Sequence, residues 1–539
     1  MMQVTQEGID NRSFDVVVIG GGHNGLTAAC YLARRGLAVC VLEAAGGIGG
    51  MTASGTPIER APDHVVNYCS ADLLFWLSSP VERELELHRY GLSTIVVDPC
   101  YAYLHPDGAS VAVWKDPCRT ADEIRHFSRP DAESYLEYVR FLDALFDIAF
   151  PFMLSNPARP GRSSLTAMVR AAFKHRRLLR RFGEFLVASG EETIEQRFTH
   201  PVTKSLLYCL GAGANPIDMH GTSVTHLFLG FLHRSGTARP VGGMQAIPAA
   251  LARRLISTGG TIHTDAEVAE IIVRGGKAVG VRLTDERQFH ARTAILATPD
   301  PRTTLGRLLP PGTLSHELET RVRHIPANSR GAGAMKTDLA LAGRVTLDRH
   351  QRWRRDEVDL RKPAILIGTS DQIRRGWARA AAGIVPDADD IALWPVLLTG
   401  ADPSQAPDGQ DSLYLFATNM PLHPDGGWEK WQHHAAERIV ERAGQFYDGL
   451  AELEIGRWVE SPELAQQRTR ATNGAAMHVD HLLFSQGPMR PALGLGGRKL
   501  PVDRLVLGGA GAHPGGGVSG LPGRRAARNI LLARGIREL

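Results

Sequence analysis

Apolar positions change their period twice between residues 14 and 43, and the changes mark out three elements. Residues 16–19 are an unbroken β-branched run, the composition of a strand buried on both faces. From 24 to about 35 the apolar residues return at helical spacing, and 38–42 is a second apolar run that ends on Glu43. The pattern predicts two parallel strands joined by a crossover helix.

Further along, the same reading predicts a loop over 51–63 and a helix over 71–88. Strands at 93–97, 101–104 and 110–114 follow as a β-meander, with Pro106, Asp107 and Gly108 as the last turn. Residues 120–236 are largely helical in period. A break with proline and paired glycines at 239–243 precedes a helix over 245–258. Residues 261–299 form a compact β unit, with strands at 261–263, 266–274, 278–283 and 293–297 and a turn at Gly275 and Gly276. Strands such as 336–341 and 364–367 alternate with helices such as 428–446 across 302–470. The chain then runs through a buried strand at 505–507, a glycine-dense loop, and a helix from about 517–520 to 534.

The break between the first strand and helix is Gly20-x-Gly22-x-x-Gly25, with His23 and Asn24 opening the helix. Gly20 permits the tight turn, Gly22 leaves room for a pyrophosphate against bare backbone, and Gly25 allows close helix–strand packing. The helix N-terminus turns unpaired N–H groups toward the phosphates. Glu43 is placed to take the hydroxyls of an adenosine ribose. These residues predict an adenine dinucleotide site.

Gly49 and Gly50, after five residues beyond Glu43, select FAD over NAD. That spacing lets the chain pass beside a flavin diphosphate. At the far end, Gly509, Gly511, Pro514, Gly515, Gly516, Gly517 and Val518 lie in a strand–helix corner whose packed backbone suits a flat isoalloxazine ring. The following helix would direct its positive end at the flavin N1/C2 carbonyl. Nucleotide signals therefore sit at both ends and in the middle of the chain. This distribution argues for an α/β fold with a discontinuous Rossmann-like FAD-binding domain interrupted by an inserted α+β substrate domain. The expected pieces are 1–116, 239–315 and 471–539 for the FAD domain, and 117–238 and 316–470 for the substrate domain.

Composition narrows the class. At 539 residues the chain is too long for one core, and 43% apolar with 22% charged residues is ordinary for a globular protein. A net charge of +4 with no aromatic-interleaved basic block argues against a nucleic-acid partner. The six cysteines include no C-x-x-C pair and read as reduced core thiols. No hydrophobic signal core precedes residue 13 and no apolar run approaches a membrane span, so a cytoplasmic location is expected. The 165–186 stretch has Val169, Ala172, Leu179, Phe182 and Leu186 on one helical face, with Arg170, Lys174, Arg177, Arg180 and Arg181 around the rest. Packing on the substrate domain as a solvated helix is the simpler reading. Peripheral contact with an anionic membrane is the alternative.

The segments GGGHNGL (20–26), E-x5-GG (43–50), RPVGGMQAIPAAL (239–251), LATPD (296–300), HVDHLLFSQGPMRP (478–491) and GAGAHPGGGVSGLPG (509–523) resemble the phytoene desaturase-related FAD oxidoreductases. Within these the resemblance is to the branch with flavoprotein-type carotene ketolases and the pyridine nucleotide-disulfide oxidoreductase domain-containing protein 2 group. It implies an FAD domain of the glutathione reductase/amine oxidase type. It also implies that Val268 bonds the adenine through its backbone, and that Lys336 stands at the position of a family lysine. Many relatives carry Arg after the glycine pair, in contact with the flavin diphosphate; this chain has Met51, so that contact must come from elsewhere or be absent.

His513, just before Pro514, is expected near the ring, either relaying a proton or bracing the loop. His478 and His481 lack the companions a metal site needs, and no metal is expected. The expected activity is FAD-dependent dehydrogenation of a largely apolar substrate such as a polyene or isoprenoid, with electrons passed to oxygen or a quinone. A redox-neutral cis–trans isomerase, a ketolase or amine-oxidase-like enzyme, and a flavin-containing interaction protein are the alternatives. The sequence leaves oligomeric state open, and a homodimer is compatible with it.

Overall fold

The strand–helix–strand unit forms as β1 (Ser13–Ile19), α1 (His23–Arg34) and β2 (Val39–Leu42). The structure, a computed structural model, describes residues 13–157, 160–213, 215–497 and 500–536; the residues before Ser13, read above for a signal core, lie outside these. The centre of β1 is fully buried, as its β-branched composition requires. It ends at Gly20, whose φ of +97° belongs to the left-handed region that favours glycine.

Two seven-stranded sheets organise the molecule. In the first, β1 pairs in parallel with β2 and with Gln288–Ala297, β2 pairs with Thr261–His263, and Leu505–Leu507 pairs with the end of Gln288–Ala297. Val268–Arg274, Lys277–Leu283 and Gln288–Ala297 add an antiparallel meander. α1, Ala246–Ile256 and the C-terminal helix Leu521–Ala533 share one apolar core with this sheet. The nucleotide sheet is thus assembled from three separated stretches of chain.

The second sheet runs in the order Glu454–Glu460, Ala332–Leu341, Asp411–Pro421, Leu393–Leu397, Ala364–Ile367, Tyr101–Leu104, Ser110–Val113. The helices of the 117–235 region pack against it around a core rich in Phe and Tyr. The architecture is the expected α/β type with an α+β second layer.

Three local expectations are corrected. Thr94–Val97 does not join the two strands that follow it in a meander. It pairs with Thr237–Pro240, while Tyr101–Leu104 lies beside Ala364–Ile367, so the stretch 1–116 supplies strands to both large sheets. The 71–88 helix is two short helices, Leu74–Leu77 and Val81–Leu85, because Pro80 between them lacks the N–H a continuous helix needs. The 165–186 helix is also divided, into Arg162–Lys174 and Leu179–Val187. At the break, His175 Nε2 turns back onto the Asp147 carboxylate at 3.0 Å. Among the described residues no helix is long and apolar enough to cross a membrane.

Candidate functional site

A cavity of about 1300 Å3 is lined by residues of both sheets. Part of the lining is glycine backbone and part is aromatic. In the glycine part, the amide of Gly49 donates to the Gly21 carbonyl at 3.0 Å, so the fingerprint loop and the glycine pair lie directly side by side. Glu43 holds this corner: one carboxylate oxygen accepts from the Gly21 amide at 2.7 Å and the other from the Ala45 amide at 2.9 Å. Each oxygen keeps a lone pair for a further donor.

The expected cofactor residues divide by what surrounds them. Gly20, Gly22, His23, Asn24, Glu43, Gly50, Met51 and Val268 line the cavity, as do Gly509, Pro514, Gly515, Gly516, Gly517 and Val518 from the other end of the chain. Gly25, Gly49 and Gly511 stand behind this wall. A Cβ on Gly25 would lie 2.1 Å from the Gly20 carbonyl oxygen, and one on Gly511 2.4 Å from the Pro301 ring. Gly509 and Gly516 are crowded too, by the Thr298 carbonyl at 2.0 Å and the Met477 sulfur at 2.4 Å. These four are glycine because protein fills the space.

Gly22 and Gly50 differ from them. A Cβ on Gly22 meets nothing nearer than the Gly49 carbonyl at 3.8 Å, and one on Gly50 nothing nearer than Gly22 Cα at 3.5 Å. Both face open cavity. No side chain caps α1 at its N-terminus, which leaves its first N–H groups available to an anion. His23 Nε2 and Asn24 Oδ1 are buried there without a hydrogen-bond partner. A bare-backbone cradle with a free helix N-terminus and orphaned polar atoms fits the diphosphate and ribose of a dinucleotide. Burial pushes His23 down to about 4, so it stays neutral beside them.

The segment 477–490 packs beneath the glycine loop 509–518. Arg490, fully buried, donates through Nη2 to the carbonyls of Met477 at 2.9 Å, Val479 at 3.2 Å and Ala510 at 2.8 Å, fastening that segment to the loop. The His481 ring would meet a Cβ on Gly515 at 3.4 Å, and His478 would meet one on Gly511 at 3.5 Å. Both histidines thus pack against the loop and also line the cavity. Among the described residues no group of three or more His, Cys, Asp or Glu side chains is placed to hold a metal ion.

His513 lines the cavity with its Nε2 3.1 Å from the Phe152 carbonyl and its ring edge-on to the Phe152 ring. Nε2 is then the protonated nitrogen, and Nδ1 is a buried acceptor with no partner. Burial, with Arg525 nearby, pushes the imidazole down to about 3.

Lys336 lies on an interior strand, not at a sheet edge, since Ala332–Leu341 is paired on both sides. Its Nζ donates to the Asn67 carbonyl at 3.0 Å and to the Asp338 carboxylate at 2.9 Å, and it sits 3.0 Å from the centre of the Tyr414 ring. Burial drives both members of this pair toward neutrality, Lys336 downward and Asp338 upward, against their mutual attraction.

Sequence reasoning missed Asn67, Gln245, Asp338, Arg468 and Arg490. Gln245 donates through Nε2 to the Ile48 carbonyl at 3.1 Å and so braces the glycine pair; its motif, RPVGGMQ, was visible without its partner. Asp338 was legible as K-x-D, because residues two apart on a strand share a face.

The aromatic part of the lining is Phe75, Tyr101, Phe228, Phe231, Trp394, Tyr414 and Phe416, continued by Leu145, Ile148, Phe152 and Met153, with Phe75 packed on the glycine loop at Gly517. Met168 and Leu186, from the two divided basic helices, also line it.

The family model for flavin-containing amine oxidoreductases matches residues 25–338, more than half of the chain. The pyridine nucleotide-disulfide oxidoreductase domain-containing protein 2 of Mus musculus is 27% identical, over 98% of this chain and 95% of its own. A neurosporene-forming phytoene desaturase of Rhodobacter capsulatus is 25% identical, over 94% of this chain and 91% of its own. Among solved structures, a cyclohexylamine oxidase from Brevibacterium oxydans superposes with a TM-score of 0.59 at 15% identity, over 97% of this chain and 99% of that one.

Proposed function

Since the chain belongs to the flavin-containing amine oxidoreductases, and is thus an FAD-dependent oxidoreductase, we propose that it dehydrogenates a largely apolar substrate of polyene or isoprenoid type. The observation that carries this reading is that seven aromatic residues line the same cavity as the glycine loops, with Phe75 packed directly on Gly517. Such a lining desolvates a hydrocarbon and offers few polar groups to orient a small hydrophilic metabolite.

Bound FAD supplies the two-electron acceptor, and the electrons would leave to oxygen or a quinone. The chain positions the substrate, excludes water and manages the proton released with each hydride. With a pKa near 3, His513 is a poor proton acceptor at neutral pH; its bond to Phe152 supports a positioning role, holding the glycine loop against the helix Arg129–Met153. Lys336, which lines the cavity and is bonded to the Asp338 carboxylate, is the other group placed to exchange a proton there. Anaerobic mixing of the holoenzyme with candidate polyenes should bleach the flavin band and yield product two mass units lighter. Product of unchanged mass would instead mark an isomerase, and bleaching by dithionite but by no apolar substrate would sink the dehydrogenase reading.

The same reading includes peripheral contact with an anionic membrane through 165–186. Leu165, Val169, Phe173 and Val187 are 51%, 60%, 70% and 59% exposed, beside exposed Arg170, Lys174, Arg177, Arg180 and Arg181. Apolar and basic residues at one surface suit a lipid interface. Met168 and Leu186, from the same helices, reach the cavity.

A further inference from the structure

The dinucleotide end of the cavity has backbone donors, but residue 51, beside the glycine pair, is Met. A flavin diphosphate carries two negative charges, and a helix N-terminus offsets only about half of one. Three arginines line the cavity: Arg307, Arg468 and Arg470. Arg470 is tied to Glu267 through two bonds of 2.8 and 2.9 Å, next to Val268 at the adenine end, and Arg307 adjoins Leu308 at the same end.

Arg468 is placed differently. It lies in the last turn of the helix Pro462–Thr469, and its Nη1 stands 3.5 Å from the Gly50 carbonyl, where the glycine pair meets Gly22. Its Nε and Nη2 both donate to the buried Glu460 carboxylate, and its guanidinium lies over the Tyr68 ring at 5.2 Å. One edge of the planar fork is therefore fixed by Glu460, and the Nη1 edge is left toward the glycine pair. Guanidinium geometry suits a phosphate oxygen there.

We propose that Arg468, positioned by Glu460, donates to the flavin diphosphate and supplies from the far side of the chain the cationic contact that Met51 does not. Arg468 is then a cofactor-binding residue and Glu460 a positioning residue. Neither lies near the fingerprint in sequence.

The test uses purified holoenzyme diluted to nanomolar concentration, with FAD release read from free-flavin fluorescence. Arg468→Met alone would strand a buried carboxylate, so the informative variant is Arg468→Met with Glu460→Gln. We expect its FAD Kd to rise about ten- to a hundredfold, the weight of one charge-assisted hydrogen bond, and to lose part of its salt dependence. Adding Met51→Arg should recover most of the affinity, while Met51→Arg alone should change it little. A double variant with wild-type Kd overturns the proposal. So does a weakened Kd that Met51→Arg leaves unrelieved, because the defect then lies in the fold around Glu460.

Discussion

Alanine at Gly22 and at Gly25 should abolish FAD binding by different routes, and stability separates them. Gly22 is the N-cap of α1 with φ −71° and ψ 169°, a conformation open to any residue, and its Cβ would meet no atom closer than 3.8 Å. Reduced freedom of the unfolded chain gains about 0.4–1 kcal/mol, and alanine's poorer fitness as an N-cap costs a similar amount. The fold should therefore be unchanged to within about 1 kcal/mol. The new methyl, however, occupies the diphosphate's place. Holoenzyme kept at a thousandfold excess of FAD over Kd gains about 4 kcal/mol from the cofactor, and Gly22→Ala should lose that gain entirely.

Gly25 is inside the helix, and its Cβ would lie 2.1 Å from a backbone oxygen that cannot rotate away. Overpacking of this kind costs about 1–3 kcal/mol or more, and about 1 kcal/mol of helix propensity returned by alanine does not cancel it. Far-UV circular dichroism melts with and without added FAD distinguish the two. Gly22→Ala should melt like flavin-stripped wild type and ignore FAD; Gly25→Ala should melt below both or fail to fold. Wild-type FAD occupancy in Gly22→Ala would refute the assignment of the open cradle to the diphosphate. Equal loss of stability in the two variants would refute the distinction between packed and ligand-facing glycines.

Other outcomes follow from the buried charges and the surface. His23 and His226 are held near 4 and His481 and His513 near 3 by burial, so the unfolded chain binds more protons below about pH 6.5; stability should fall from there toward pH 4, by about 1.4 kcal/mol per pH unit for each histidine. Urea titrations at pH 7 and pH 5 check this, His513→Gln should lessen the slope, and flat stability would contradict it. Lys336→Met strands the buried Asp338 carboxylate and should cost about 3–5 kcal/mol, whereas Lys336→Met with Asp338→Asn should regain most stability but not the rate of flavin reduction; recovery of both would remove Lys336 from the chemistry. Val169→Asp with Phe173→Asp should reduce co-sedimentation with phosphatidylglycerol vesicles and leave flavin content intact, and undiminished binding would exclude these helices as the membrane contact.

The nucleotide unit was readable because its determinants are local. Strand, turn, helix, strand and acid fall within thirty-odd residues, each with its own periodicity or backbone demand, and β1, α1 and β2 appear within a residue or so of expectation at most ends. The roles of Gly22, left bare for a ligand, and Gly25, packed against the strand, were readable from the fingerprint; what crowds the distant glycines was not, since it depends on atoms that arrive from elsewhere: the Thr298 carbonyl behind Gly509 and the Met477 sulfur behind Gly516. The same limit explains the corrected elements. Tyr101–Leu104 pairs with Ser110–Val113 as the alternation suggests, but its other neighbour comes from residues 364–367, and at the break near 175 the His175 ring meets Asp147 from another helix. Arg468 is the extreme case, being 418 residues from the carbonyl it approaches. Arginine at the end of a polar helix carries no local mark of a cofactor contact, and Met51 showed only that a contact was missing. Local sequence thus fixes the kind of backbone that can receive FAD. The side chains that meet its charge, and the aromatic wall drawn from segments 75, 101, 228–231, 394 and 414–416, exist only once both sheets have closed around the cavity.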